Sequence, residues 1–414
     1  MGTLPKRDPG VDKQIMRVSP FKLMCSAGLF AIFSSTLSKS PVLPLFASHL
    51  GATASGVGVV AALSTLAGIA FSIPAGLLSD RLGRKTMLVA SGAVFASAPA
   101  LYLLTSSIWQ LAAVRFYHGL ATAIFMPVAM AFVSDLHEEA KGEKLGWFST
   151  ATLLGRFLAP LAGGALLGFL GSSSDQAYTS IYFLCLVGGA FALFLTLKVP
   201  RPKNSFQQPK TWKDTAAELS RLISSGPLLS LGIVEASVLF MYGTIEVFLP
   251  LYALSIGIGT FEIGACLSTQ VITLAATKPV MGKFSDQHGR SGQIVWGSLL
   301  GVVAATIMAY FSSFIGILSL SVLIGLSLSI VTSATSAAVA DISRCDMRGS
   351  AMGIFGTIMD VGHSAGPLVS GVVAAYLGYQ AAFVGAAIVL AVSMVVFSLT
   401  AFNKLNPCGI REEL

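Results

Sequence analysis

Apolar runs dominate this chain, and short polar breaks punctuate them. Broken at charge, Gly or Pro, the first six fall near residues 21–50, 56–78, 86–105, 108–134, 146–170 and 178–197. After a polar stretch come six more, near 227–254, 261–282, 293–312, 314–340, 350–375 and 380–402. A bilayer core asks for about 20 apolar residues per helix, and these runs meet that length. They do not alternate, and they are too long for the strands of a membrane barrel. The pattern predicts an all-α integral membrane protein with twelve transmembrane helices.

Composition agrees. Charged residues make up 11% of the 414 positions, less than half the share of a soluble domain, which excludes a large soluble enzyme. The five cysteines (Cys25, Cys185, Cys266, Cys345 and Cys408) are scattered, with no CxxC pair and no neighbouring His cluster. No disulfide framework, metal site or cofactor is expected. The first run, from about Phe21, is too long for a signal-peptide core and lacks a cleavage site, so it reads as a true span.

A net charge of +7 invites a nucleic-acid reading. Placement decides against it. Of the 26 Lys and Arg residues, all but Lys39, Arg115, Arg156 and Lys278 fall in the termini, the central linker or the 2–3, 4–5, 8–9 and 10–11 loops. An even number of spans puts all of these on one side, which the positive-inside rule assigns to the cytoplasm. The basicity is a topology signal for a multi-pass cell-membrane protein with both termini cytoplasmic. Its partner is a lipid bilayer, not nucleic acid.

The sequence also repeats. At a shift of 206, Gly76-Leu-Leu-Ser-Asp80-Arg-Leu-Gly83-Arg84 falls on Gly282-Lys-Phe-Ser-Asp286-Gln-His-Gly289-Arg290. Pro44-Leu-Phe-Ala-Ser-His-Leu-Gly51 likewise falls on Pro250-Leu-Tyr-Ala-Leu-Ser-Ile-Gly257, Gly119 on Gly325, and Asp135 on Asp341. At 207, Gly155 and Pro160 fall on Gly362 and Pro367. The chain divides into an N-terminal half, 1–200, a cytoplasmic linker, 201–221, and a C-terminal half, 222–414. Two parallel six-helix halves around a central cavity are an arrangement of secondary transporters.

The motifs carry a family likeness. Gly76, Leu78, Asp80, Arg81, Gly83, Arg84, Lys85 and Leu88 match the 2–3 loop signature GxLaDrxGrKxxL, and the chain resembles the major facilitator superfamily. Its span-4 signature matches at Leu111, Arg115, Gly119 and Ala123, and departs at His118 and Ala121. A span-5 stretch similar to that of proton-coupled drug exporters runs Gly155-Arg-Phe-Leu-Ala159-Pro160-Leu-Ala-Gly163-Gly164, with Ala159 replacing a Gly. It recurs as Gly362-His-Ser-Ala-Gly366-Pro367-Leu-Val-Ser-Gly371, in line with small-residue, Pro-broken packing and bending of transporter helices. The resemblance implies a cytoplasmic gate at Gly76, Asp80, Arg81, Gly83, Arg84 and Lys85. With the repeat, Asp135, Asp286, Gly289, Arg290 and Asp341 join it. Arg84 is expected to pair with Asp135 and Arg290 with Asp341. Asp80 is expected to approach the start of span 11 near Gly349 and Ser350, and Asp286 the start of span 5 near Leu145, when that side is closed.

Charges inside spans are costly and mark cavities or partners. Lys39, Arg115, His118 and Arg156 lie in the first half, and Glu235, Glu246, Asp360 and His363 in the second. Glu235 and Glu246 are eleven apart and share a helix face; Asp360 and His363, and Arg115 and His118, are three apart and do the same. Lys278 sits near the cytoplasmic end of span 8, where a lysine snorkels. Lys39 falls on Ile245, Arg115 on Ser321, and Asp360 on residues 152–154. Read so, the span charges are not duplicated, and they are the candidates for substrate and proton contact, with Glu246 and Asp360 as the leading carboxylates. Arg115 resembles an arginine that the family uses in proton coupling. HExxH, GxSxG and GxxxxGK[ST] are absent, so neither an enzyme nor a directly ATP-driven pump is expected. The leading expectation is a monomeric alternating-access transporter, effecting proton-coupled efflux of a hydrophobic or amphiphilic small molecule. The alternative is a small organic anion held by Lys39, Arg115 and Arg156.

Overall fold

A computed structural model of the chain describes residues 19–136, 140–200, 226–343 and 348–402, without the side chains of Asp80, Pro227 and residues 348–350. The expected linker, 201–221, lies outside the described residues, as do 1–18 and 403–414.

The first half holds α1 (Pro20–Leu37), α2 (Val42–His49), α3 (Ala54–Leu82), α4 (Arg84–Tyr102), α5 (Ile108–Leu136), α6 (Lys141–Leu170) and α7 (Asp175–Lys198). The second holds α8 (Gly226–Ser255), α9 (Thr260–His288), α10 (Arg290–Met308), α11 (Phe314–Ile342) and α12 (Arg348–Thr400). Nine helical stretches among the described residues are long and apolar enough to cross a membrane. The more polar α4 and α9 are also long enough, and α12 is two helices joined at Gly378. That makes twelve crossings, with α1 and α2 sharing the first. Side chains such as Trp109, Phe169, Trp296 and Leu399 project from the outside, a surface that suits lipid and not water.

Span 1 departs from the single helix expected over 21–50. It breaks at residues 38–41, because Pro41 lacks an N–H and disfavours helix at Ser40 before it. Helix starts elsewhere are written into the sequence. Thr53 accepts from Gly56 N at 3.3 Å, and Ser313 from Gly316 N at 3.2 Å, each satisfying an amide that the first turn leaves open.

The backbone carries the repeat. Three pairs of glycines have positive φ: Gly51 and Gly257, Gly83 and Gly289, and Gly171 and Gly378. The first two pairs lie 206 apart and the third 207. Gly83 (φ 89°) and Gly289 (φ 90°) are the whole connection between α3 and α4 and between α9 and α10. A side chain is disfavoured there, which accounts for Gly in both copies of the motif. The expected 2–3 loop is thus two helix ends meeting at Gly83.

Packing repeats as well. α3 lies on α5 as α9 lies on α11, α1 on α6 as α8 on α12, and α4 on α7 as α10 on α12. The halves meet mainly along two seams, α3 with α12 and α6 with α9. Gly119 presses on Ser64, where an added Cβ would stand 2.7 Å from its Cα, and Gly325 presses on Gln270, 206 residues on, at 3.1 Å. The glycines of the expected bending motifs are also sites of close approach. A Cβ on Gly155 would stand 3.0 Å from Phe33 N, one on Gly362 2.6 Å from Ala236 Cα, and one on Gly366 3.2 Å from Phe240 Cα. The helices continue through Pro160 and Pro367.

Candidate functional site

Two connected chambers lie between the halves. The larger, about 730 Å³, has a mainly apolar wall from the second half, including Leu239, Val271, Leu274, Leu328 and Met359. Glu143 and Trp147, at the start of α6, lie at its mouth. It therefore opens toward the face that carries Arg84 and Arg290, called the basic face below. The smaller, about 380 Å³, has a polar wall mainly from the first half, including Thr36, Lys39, Ser64, Arg115 and His118. Arg156, Tyr242, Asp360 and His363 line both chambers and form the waist between them.

At the waist, Lys39 Nζ donates to Glu246 Oε2 at 2.7 Å, and His363 Nε2 lies 2.9 Å from the same oxygen. Lys39 sits in the turn that breaks span 1, which aims its side chain across to α8. Tyr242 stacks on His363 with centroids 5.8 Å apart, so the ring is held from one side. The Lys39–Glu246 pair joins residues 207 apart, one residue from the equivalence set by Pro44 and Pro250. Near-equivalent positions can touch only beside the axis relating the halves, so this ion pair marks that axis.

Arg156 is itself 207 residues from His363, so these two are repeat equivalents. This corrects the expectation that the span charges have no counterparts: the positions are duplicated and the chemistry differs. The signal was present in the two glycine-proline stretches, where Arg follows Gly155 and His follows Gly362. The side chains of Arg156 and Asp360 make no hydrogen bond or ion pair to a described residue, yet each lies within electrostatic range of the other.

The other candidates lie deeper or apart. Arg115 is 2% exposed and donates to Ser64 Oγ at 3.1 Å and Tyr102 Oη at 3.4 Å. Gln270 Nε2 donates to Ser321 Oγ at 3.3 Å in the repeat-related place. The contact is kept while the long donor changes helix and loses its charge. His118 Nδ1 is 3.4 Å from Ser38 Oγ. Glu235 does not line the cavity; it is 0% exposed and accepts from Thr335 Oγ1 at 2.6 Å. The face it shares with Glu246 is covered at that depth by α11. Sequence reading missed Tyr242, Trp147, Gly58 and Gly264, since aromatic and Gly positions in an apolar helix look like packing.

At the basic face, Arg84 Nε donates to Asp135 and Arg290 Nη2 pairs with Asp341 at 3.0 Å. Asp286 takes Arg290 within its own half at 2.6 Å. Arg81 is exposed at the end of α3, and Lys85 is half-buried at the start of α4. The expected contact of Asp80 with Gly349 and Ser350 involves side chains outside the described ones. At the opposite face the halves are in contact. A Cβ on Gly164 would stand 3.0 Å from Gly264 Cα, and one on Gly371 3.3 Å from Gly58 Cα. Thr260 Oγ1 donates to Gly164 O at 3.1 Å, and Ser55 Oγ to Gly371 O at 3.3 Å. The cavity is thus open to one side and sealed from the other.

Known proteins match this architecture. The chain is 26% identical over 371 residues to an uncharacterized MFS-type transporter of Methanocaldococcus jannaschii, covering 88% of this chain and 91% of that protein. It is 24% identical to a multi-drug resistance efflux pump PmrA homolog of Lactococcus lactis, covering 91% and 93%. Among solved structures it resembles a crystal structure of the nucleoside transporter NupG, with a TM-score of 0.72 at 14% identity, covering 91% of this chain and 98% of that one. The Major Facilitator Superfamily model matches residues 24–268 and 231–407. This integral membrane chain therefore belongs to the major facilitator superfamily, as a transporter and not an enzyme.

Proposed function

We propose that this protein exports an amphiphilic small molecule from the cytoplasm in exchange for protons, by rocking one half against the other about the waist. The observation that carries this reading is the two-chamber cavity, apolar on one wall and polar on the other, open at one face and sealed at the opposite one. The basic face is assigned to the cytoplasm by its Lys and Arg residues, so the described state receives cargo from inside the cell membrane. Efflux is favoured by the Lactococcus lactis relative's designation as a multi-drug resistance efflux pump. Proton exchange is favoured by carboxylates at the waist, where Glu246 and Asp360 face cations of the other half. A simple organic anion is the weaker reading. Of its three expected cations, Lys39 is engaged by Glu246 and Arg115 is packed into the wall. The protein acts as a monomer, since both seams and the whole cavity are built within one chain.

The test is the purified full chain in liposomes with a pH gradient and a trapped pH indicator, challenged with a panel of amphiphilic drugs. Substrate-dependent proton movement, and accumulation that collapses with the gradient, are expected. Accumulation indifferent to the gradient would remove proton coupling, and none with any member would remove amphiphile efflux.

A further inference from the structure

The charges around the waist are not all accounted for by one another. Lys39 and Glu246 compensate each other, and His363 completes that cluster. Arg115 is buried in the wall of the smaller chamber, where its two terminal nitrogens donate to Ser64 and Tyr102 and its Nε is left without a partner among the described residues. Lys278 lines only the larger chamber, toward the basic face. At the waist Arg156 and Asp360 remain: one cation on α6, one carboxylate on α12, on opposite halves, both lining both chambers and both with side chains that have no hydrogen-bonded partner among the described residues.

We propose that Arg156 and Asp360 form a split receptor for a zwitterionic amphiphile, with Arg156 taking its anionic group, Asp360 its cationic group, and the larger chamber its apolar body. The proposal rests on the transport reading above and names its substrate class. The physical reason is desolvation. When the halves close on cargo, water leaves the waist, and a charge left there without an opposite charge or hydrogen bonds is costly. A purely cationic amphiphile would satisfy Asp360 and strand Arg156. A purely anionic one would do the reverse. A molecule carrying both charges at one end satisfies both, and a guanidinium presents the fork of donors that a carboxylate, phosphate or sulfonate accepts. The apolar chamber beside the waist, at about 730 Å³, falls in the size range of drug-sized ligand sites.

Three probes of equal chain length separate the possibilities: 2-aminodecanoate (zwitterion), decanoate (anion) and 2-aminodecane (cation). Binding to the full chain in lipid nanodiscs is read from the fluorescence of Trp147 at the chamber mouth, with Trp147→Phe assigning the signal. The zwitterion is expected to bind about tenfold or more tightly than either comparator. Arg156→Gln should reduce it to the level of 2-aminodecane, and Asp360→Asn to that of decanoate. Exchanging the two charges in one variant should restore the preference. Equal binding of either comparator overturns the proposal, and so does the absence of binding by all three. Single variants that weaken every probe alike would mean that Arg156 and Asp360 serve to bond each other, which also overturns it. The two readings fail separately. Zwitterion binding without proton-linked movement in liposomes would sink the transport reading alone. Proton-linked movement of a plain cation with no zwitterion preference would sink this one alone.

Discussion

Each of the two seams between the halves has two ends, and the ends differ. At the sealed end, Gly58 meets Gly371 and Gly164 meets Gly264 at backbone contact distance. Toward the basic face, the same helices carry Gly76 on α3, Gly146 on α6, Gly282 on α9 and Gly353 on α12. An added Cβ at any of these meets no described atom within 4 Å. These glycines are repeat-paired too, Gly76 with Gly282 at 206 and Gly146 with Gly353 at 207. The difference teaches what the glycines are for. One set is engaged in this state and the other faces open space, as expected if the helices pivot at the waist and close one end while opening the other.

The largest effects should come from blocking one end. Gly164→Leu puts a side chain where a Cβ already crowds Gly264, so the sealed end should no longer close. Transport should fall by about 100-fold, the upper reach of an overpacking penalty of about 3 kcal/mol. Gly146→Leu should cause a similar loss for the opposite reason, holding the basic face open. Thiol labelling of single cysteines at each face reads which state accumulates. If both variants trap the same state, the comparison between the two ends is wrong.

The next effect tests the pivot. Glu246→Gln removes the charge that holds Lys39 and His363 at the axis. Breaking a buried pair costs about 3–5 kcal/mol, and the partial exposure of Lys39 places this one at the lower end. A fall in transport of about tenfold or more is expected on the scale of buried charge-pair losses. Lys39→Glu combined with Glu246→Lys should recover part of it, because the near-equivalent positions see similar surroundings. No recovery would mean that the sign at each position matters to cargo and not only to the axis.

Much of this was legible in the sequence, and the remainder was hidden for physical reasons. The twelve crossings followed from hydropathy, because lipid leaves the backbone few alternatives. The Arg84–Asp135 and Arg290–Asp341 contacts followed from the repeat, since each spans 51 residues. The break in span 1 was written as Ser-Lys-Ser-Pro at 38–41, but the apolar flanks masked it. The pairing of Arg156 with His363 across the repeat was obscured because equivalent places carry different chemistry, and sequence comparison rewards likeness. Glu235 was misplaced for another reason. Helical phase tells which face a residue is on, but not which neighbour covers that face at a given depth.

The smallest expected effect contrasts the two copies of one contact. Arg84 and Asp135 have side chains 9% and 21% exposed, whereas Arg290 and Asp341 stand at 16% and 48%. The first pair is drier, so losing its charge should matter more. Arg84→Gln should lower stability by about 1–3 kcal/mol, the range for leaving a partly buried charged acceptor unsatisfied. Arg290→Gln should cost about 0.2–1 kcal/mol, typical of an exposed ion pair. Thermal unfolding of both variants in the same detergent, at low and high salt, reads the difference. Salt should weaken the Arg290 contribution and leave most of that of Arg84, because screening reaches only charges that water reaches. Equal losses with equal salt dependence would mean that the two copies are energetically alike, and that the asymmetry between the halves is confined to the waist.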